Sequence, residues 1–354
     1  MSVYINASLL SILISFLSTI YFTPRFRSLA KKYKLEDIPN KRNQHTSPKV
    51  RIGGSSIVLG FFLASFISFF YLYQNNIKIL NLPLLSISFL TLIVFFILGL
   101  IDDLITLSPF FRLFCQFIFS TSIWFTGIKI ENINLDFALH GNQVIHLSPV
   151  LSLFVTVIWI SGITNAFNWL DGLDGLASGV TSIICLCFVF ISFTTSNYLL
   201  GIIFFALFGS NLGFLKYNFY PSRIMMGDGG SYFLGCCLAI FTILLNQTHN
   251  FNLLIIALIM LVPLLDMMFV IISRISKGIS PFYPDRRHLH HRLLSFGFNH
   301  KNTVIIIYLI NLFIFVNLLF YLSIYNFFIC IFLNIVISTI FLNFIKSKRN
   351  SLQN

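Results

Sequence analysis

The stretch LLSISFLTLIVFFILGLIDDL, residues 84–104, decides the fold. Residues 84–101 carry no charge, and then two carboxylates, Asp102 and Asp103, arrive together. A transmembrane helix needs about 20 predominantly apolar residues, and this run meets that length. It is continuous rather than alternating, which argues against a closed barrel. Working outward, comparable runs lie near 3–22, 52–73, 111–127, 149–166, 177–194, 198–215, 231–247, 251–273, 303–324 and 326–345. With 84–101 these predict about eleven spans, an all-α polytopic integral membrane protein forming a single domain over 1–354. Of the 354 residues 57% are hydrophobic and only 10% charged, against roughly 25% charged in soluble domains. A mean hydropathy of +0.88 excludes a water-soluble globule, and apolar content this high excludes disorder. The 43 phenylalanines suit a lipid-facing surface.

Charge sets the orientation. With the N-terminus outside, 21 of the 23 Lys and Arg residues fall on the cytoplasmic side, and only Lys78 and Lys129 fall on the other. Cytoplasmic loops carry that excess. The net charge of +12 therefore belongs mostly to one face, where it would also attract anionic headgroups and phosphorylated substrates. Nucleic-acid binding is a poorer explanation. The first run has no basic start and reads as a retained span. All six cysteines lie inside expected helices, so no disulfide framework is implied.

Nine of the eleven acids and five of the eight histidines lie on or near the same face. The Asp102-Asp103 pair at the end of its span is costly unless used or paired; alone it reads equally well as an interfacial cap. The segment NAFNWLDGLDGL, 165–176, spaces Asn165, Asn168, Asp171 and Asp174 three apart, on one helical face. Gly172 and Gly175 remove side chains between the carboxylates. Hard oxygen ligands of this kind suit Mg²⁺, with Mn²⁺ as the alternative. MGDGGS, 226–231, surrounds Asp228 with glycines at a helix start, where N–H groups are expected to meet phosphate oxygens. SPFYPDRRHLHHR, 280–292, gathers Arg287, His288, His290 and His291. Donors to a diphosphate or sugar fit it better than zinc, since cysteines and a second histidine group are missing. Asp285 could fix one of these rings. Asp266, eight residues before Arg274 inside the 251–273 run, reads either as functional or as a structural partner for a neighbouring helix. Residues 36–54 form a polar loop whose Lys and Arg content topology requires, and the spacing of Asp37, Pro39, Arg42, His45, Pro48 and Gly53-Gly54 makes it more than a basic loop; the 128–148 segment reads as a solvated connection.

Taken together, DIPNKRNQHTSPKVRIGG, GLIDDL, NAFNWLDGLDGLASG, MGDGGSYFLG and SPFYPDRRHLHHRL resemble, in order over about 36–298, the polyprenyl-phosphate N-acetylhexosamine-1-phosphate transferases. The last motif is similar to the branch using UDP-N-acetylglucosamine and undecaprenyl phosphate. That branch starts O-antigen, enterobacterial common antigen or teichoic acid linkage units. The phospho-MurNAc-pentapeptide translocase branch differs in that loop and carries a lysine soon after its paired aspartates, which 104–111 lacks.

The resemblance implies Mg²⁺-dependent transfer of a sugar 1-phosphate from a UDP-N-acetylhexosamine to undecaprenyl phosphate, releasing UMP, in the bacterial inner membrane with a cytoplasmic site. It implies Asp228 and Asn168 as metal ligands, and Asp102 or Asp103 as general base or, in a covalent route, as nucleophile. Asp171 and Asp174 would position the uridine. Asn165, Arg112, Arg287, His288, His290, His291 and His45 would complete substrate binding. A homodimer is compatible with it. N-acetylfucosamine or N-acetylquinovosamine donors are the alternative within the family. A transporter or flippase is the alternative outside it, but one-sided polar clusters without repeated halves do not fit transport. CDP-alcohol phosphotransferases need two further downstream aspartates, and no acid lies between Asp174 and Asp228.

Overall fold

The computed structural model describes residues 1–33, 35–37, 49–77, 79, 81–134, 144–249, 251–283, 287–321, 334, 335, 337 and 339. Within them lie twelve helices: α1 (Ser2–Lys32), α2 (Gly54–Gln74), α3 (Leu82–Ile105), α4 (Pro109–Phe125), α5 (Pro149–Leu170), α6 (Leu176–Thr194), α7 (Tyr198–Asn218), α8 (Gly227–His249), α9 (Leu253–Ile259), α10 (Leu261–Ile275), α11 (Leu289–Ser295) and α12 (His300–Tyr321). Two short antiparallel ladders complete it. β1 (Glu36–Asp37) pairs with β2 (Lys49–Val50), and β3 (Asn132–Asn134) pairs with β4 (Val144–His146) inside the 128–148 connection.

The all-α polytopic reading holds. Eight helices are long and apolar enough to cross a membrane, and α9 with α10 makes a ninth if the pair is one bent span. Helix α4 has 17 residues, about 26 Å at 1.5 Å per residue. The expected span at 326–345 lies almost entirely outside the described residues. The expected continuous helix over 251–273 is corrected: it breaks at Met260 with an 82° bend. Pro263 supplies the reason. A proline ring collides with the carbonyl four residues earlier and offers it no N–H, and that carbonyl belongs to Ile259, the last residue of α9.

Local chemistry explains several ends. Ser108-Pro109 and Ser148-Pro149 open α4 and α5: each proline takes the first turn, and each serine hydroxyl accepts from the N–H three residues on. Helix α1 runs ten residues past its expected end and carries Pro24 in its interior. The Ile20 carbonyl, which Pro24 cannot serve, accepts from the Tyr217 hydroxyl at 3.3 Å. Small residues let helices close in: Ser11, Ser15, Thr19 and Thr23 form the buried stripe of α1, facing Gly60 of α2 and Gly209 and Gly213 of α7. Its opposite stripe, Leu9, Leu13, Leu17 and Tyr21, is exposed. Helix α8 is the core element, with almost every residue from Gly229 to Leu245 buried. Alternation of direction brings the C-terminal ends of α3, α5 and α7 to the N-terminal ends of α4, α6, α8 and α12. The conspicuous polar residues meet at that end.

Candidate active site

Three glycine crossings set the site. A Cβ on Gly99 of α3 would lie against the Asp228 carbonyl and 2.7 Å from Gly229 Cα; one on Gly54 of α2 would press on Gly230. Gly227 has φ +80°, and a Cβ there would meet the Arg51 carbonyl and stand 2.6 Å from Asp103 Oδ2. MGDGGS is thus where α2, α3 and the β2 segment converge on the start of α8. The expectation that its N–H groups meet phosphate is corrected. Asp103 takes them: Oδ1 accepts from Asp228 N–H at 2.9 Å and Oδ2 from Gly229 N–H at 3.0 Å. A carboxylate at a helix N-terminus satisfies orphan donors and faces the positive end of the dipole.

Asp102 lies beside the Asp228 carboxyl. It is 4% exposed. Its Oδ1 accepts from Leu107 N–H at 2.7 Å, and its Oδ2 from Arg112 Nη1 at 2.6 Å and Tyr232 OH at 3.4 Å. Asn168, on the last turn of α5, donates Nδ2 to Asp228 Oδ1 at 2.7 Å and to Ser231 Oγ at 3.0 Å. The two expected metal ligands are therefore adjacent. Asp171 caps α5, and no hydrogen bond reaches its carboxylate among the described residues. Crowding by the surrounding helices, then the charges of Asp228 and Asp103, push its carboxyl well above the ordinary range, and Arg51 only partly offsets them.

Asp174 turns away. Lys49 Nζ donates to both its oxygens at 3.2 and 3.1 Å, and Ser222 N–H donates to Oδ2 at 2.9 Å. Burial opposes its ionisation, yet Ser222 and Lys49 outweigh burial and hold Asp174 below the ordinary range. Its own N–H donates to His300 Nε2 at 2.9 Å. Asn165 lies deeper: Nδ2 donates to Gln116 Oε1 at 2.6 Å and to the Ser161 carbonyl, tying α5 to α4.

The histidine segment reaches the same end. His290, 2% exposed, packs its ring on Gly172. Burial, then the neighbouring His291, His288 and His300, hold it far below the usual histidine range, so it is neutral. His291 stands beside it at 4.4 Å between ring centroids. Arg287 Nη1 donates to the Ser273 carbonyl at 2.8 Å. The ring-fixing role imagined for Asp285, which lies outside the described residues, is filled for His288 by Asp266, whose Oδ2 is 2.9 Å from Nδ1. His45 also lies outside the described residues. Arg51 and Lys49 are the site residues that sequence reading passed over. Both sit in a loop whose cations topology alone explains, and it is the Lys49 bonds to Asp174 and the packing of Arg51 on Gly227 that bring them to the site.

The arrangement is membrane-embedded, acidic and flanked by arginines, as a site for phosphate chemistry on a lipid would be. Residues 84–246 match the glycosyl transferase family 4 model. A Bacillus subtilis (strain 168) protein named "Probable undecaprenyl-phosphate N-acetylglucosaminyl 1-phosphate transferase" is 33% identical, over 84% of this chain and 80% of its own. The Mycobacterium leprae decaprenyl-phosphate N-acetylglucosaminephosphotransferase is 30% identical over 82% and 78%. The Escherichia coli (strain K12) undecaprenyl-phosphate alpha-N-acetylglucosaminyl 1-phosphate transferase is 28% identical over 85% and 81%. The chain belongs to the polyprenyl-phosphate N-acetylhexosamine-1-phosphate transferases of glycosyl transferase family 4, and is a membrane-bound glycosyl-1-phosphate transferase.

A metal is testable against the residues present. Asp102, Asp103 and Asp171 crowd Asp228, and among the described residues neither the Asp171 carboxylate nor the Asn168 amide oxygen beside them has a hydrogen-bond partner. Among those residues, no three His, Cys, Asp or Glu side chains enclose a metal by themselves. The Asp228 and Asp171 carboxylates with the Asn168 amide oxygen are hard donors, the kind Mg²⁺ takes together with substrate phosphates and water.

Proposed function

We propose that the enzyme transfers N-acetylglucosamine 1-phosphate from UDP-GlcNAc to undecaprenyl phosphate, releasing UMP, at the cytoplasmic face of a bacterial inner membrane. The product lipid-diphosphate sugar would initiate a cell-surface glycan of the O-antigen, common-antigen or teichoic acid linkage type. The observation that carries the reading is the Asp228–Asn168 contact beside Asp171, whose carboxylate has no hydrogen-bond partner among the described residues, framed by Arg112 and Arg51 at the membrane-surface end of the bundle.

Transfer joins an acceptor phosphate oxygen to the sugar-bearing phosphorus of the donor. The bond from that phosphorus to the bridging oxygen breaks, and UMP leaves with the electron pair. A phosphate monoester has a second pKa of about 6, so the acceptor arrives largely dianionic and needs little help from a base. What it needs is relief from like-charge repulsion. Asp102 holds Arg112 at 2.6 Å, placing a guanidinium where the lipid phosphate would arrive from the bilayer. With donors on both oxygens of Asp102 and of Asp103, neither is a free nucleophile, which favours direct transfer over a covalent route. A Mg²⁺ or Mn²⁺ held by Asp228, the Asn168 amide oxygen and Asp171 would supply the charge that draws donor and acceptor together. Arg287 and the His288–His291 segment would line the sugar side.

The test uses purified full-length protein, undecaprenyl phosphate and UDP-GlcNAc, UDP-FucNAc or UDP-QuiNAc, with Mg²⁺ or with EDTA. Metal-dependent UMP release fastest with UDP-GlcNAc is expected. No release with any donor sinks the reading, and a preference for another donor moves it within the family.

A further inference from the structure

We propose that Asp266 is a positioning residue for this reaction: it holds the His288 ring from inside α10, so that Nε2 is the nitrogen presented to the bound donor. This rests on the transferase reading above. Asp266 is 9% exposed in the otherwise apolar run LVPLLDMMFVII. An ionisable group so placed in a membrane helix is costly and is retained for use. Both its oxygens are committed to the segment after α10: Oδ2 lies 2.9 Å from His288 Nδ1, and Oδ1 accepts from Leu289 N–H at 2.6 Å, at the first turn of α11.

A carboxylate on one ring nitrogen makes that nitrogen the proton carrier and fixes the ring's orientation, leaving the other nitrogen for the ligand. His288 Nε2 has no hydrogen-bond partner among the described residues. The ring is also wedged in place: edge-on to Trp169 at 5.4 Å, and parallel to His290 at 5.6 Å with 7° between planes. Trp169 lies between Asn168, which holds Asp228, and the Asp171 turn, and the Arg274 guanidinium sits 5.0 Å from its ring centroid. Asp266 therefore reaches the reacting region through one side chain. A simple staple between α10 and α11 would need only the Leu289 bond.

The experiment is a double-substitution cycle in the full-length protein with Asp266→Asn, His288→Gln and both. Turnover, the KM for undecaprenyl phosphate and the melting midpoint are measured for each. Asparagine offers one acceptor oxygen to two donors. Asp266→Asn is expected to lower kcat about 10- to 100-fold, the usual cost of removing an orienting partner, with the KM for undecaprenyl phosphate and the melting midpoint retained. The double variant should be no slower than His288→Gln alone. Wild-type kcat in Asp266→Asn overturns the proposal, and so does an equal loss in both backgrounds, because a staple would act regardless of residue 288. If Asp266→Asn does not fold, Asp266→Glu takes its place with the same expectations. A second readout needs no turnover. In protein labelled with ¹⁵N-histidine, substitution at 266 should move the His288 ring signals, assigned by their loss in His288→Gln. Unmoved signals overturn the proposal, while a wild type without turnover refutes only the transferase reading.

Discussion

Gly99→Ala adds one methyl group where α3 crosses α8, and its consequence follows from distances. The new Cβ would lie against the Asp228 carbonyl, 2.5 Å from its carbon and 2.7 Å from Gly229 Cα, whereas ordinary contact begins at 3.4 Å. All three atoms are backbone, so no rotamer relieves them, and the helices must part by about 1 Å. Asp103 is one turn further along α3 and spans the same gap, at 2.9 and 3.0 Å from two α8 N–H groups. Parting by that amount takes both bonds to about 4 Å, outside hydrogen-bonding range. The chain adopts the cheaper of strain and separation, so the stability loss is about 1–3 kcal/mol. The catalytic loss is larger, because Asp228 moves with the start of α8. A misplacement of about 1 Å can reduce the rate about 10²-fold. UMP release and the thermal midpoint in detergent measure the two effects. Gly162→Ala is the matched control: a Cβ there meets only Met267 Cε at 3.9 Å, so it should be neutral or gain about 0.5–1 kcal/mol from helix propensity. Wild-type turnover and melting in Gly99→Ala, or an equal fall in Gly162→Ala, would refute the reasoning.

Asp228→Asn should cut turnover at least about 10³-fold, on the scale of losing a group that stabilises transition-state charge, while melting is retained; turnover within tenfold of wild type removes Asp228 from the site. Asp171→Asn should abolish turnover yet raise the melting midpoint in EDTA at neutral pH. A carboxyl whose folded pKa is raised favours the fold below its unfolded value of about 3.9 and penalises it progressively as pH climbs to the folded pKa. The gain should therefore vanish near pH 3; a midpoint lowered at neutral pH contradicts the assignment. Lys277→Cys, exposed after α10 at the catalytic end, should react with an impermeant maleimide in inverted but not in right-side-out vesicles, and the opposite pattern would reverse the orientation.

The spans were legible because the hydrophobic run is a one-dimensional signal. From α1 to α8 each expected span contains or overlaps its helix. The errors lie where a helix carries polar residues inward from the surface. Asn168 belongs to α5 and Gly227-Asp228 to α8, because those side chains find partners across the bundle and need no loop. The break at Met260 was readable in principle, since Pro263 was in view. Partnerships were not readable. Lys49 meets Asp174 from 125 residues away and Asp266 meets His288 from 22, and nothing in local spacing distinguishes a cation kept for topology from one that holds a carboxylate. The glycines of MGDGGS suggest a phosphate cradle by local pattern alone, whereas their missing side chains admit neighbouring helices.

These partnerships divide labour among the motif carboxylates. Asp103 is consumed by the start of α8, Asp174 by Lys49 and Ser222, and Asp102 by Arg112 and Leu107. Each has protein donors to offset its desolvation. Among the described residues Asp171 has none, and Asp228 has Asn168 together with its like-charged neighbours. A fold selected only for stability would have paired or deleted them. The carboxylates left under-compensated are the ones a divalent cation and two phosphates would complete. Loading with Mg²⁺ and UDP together should therefore stabilise the protein more than the two separate effects combined.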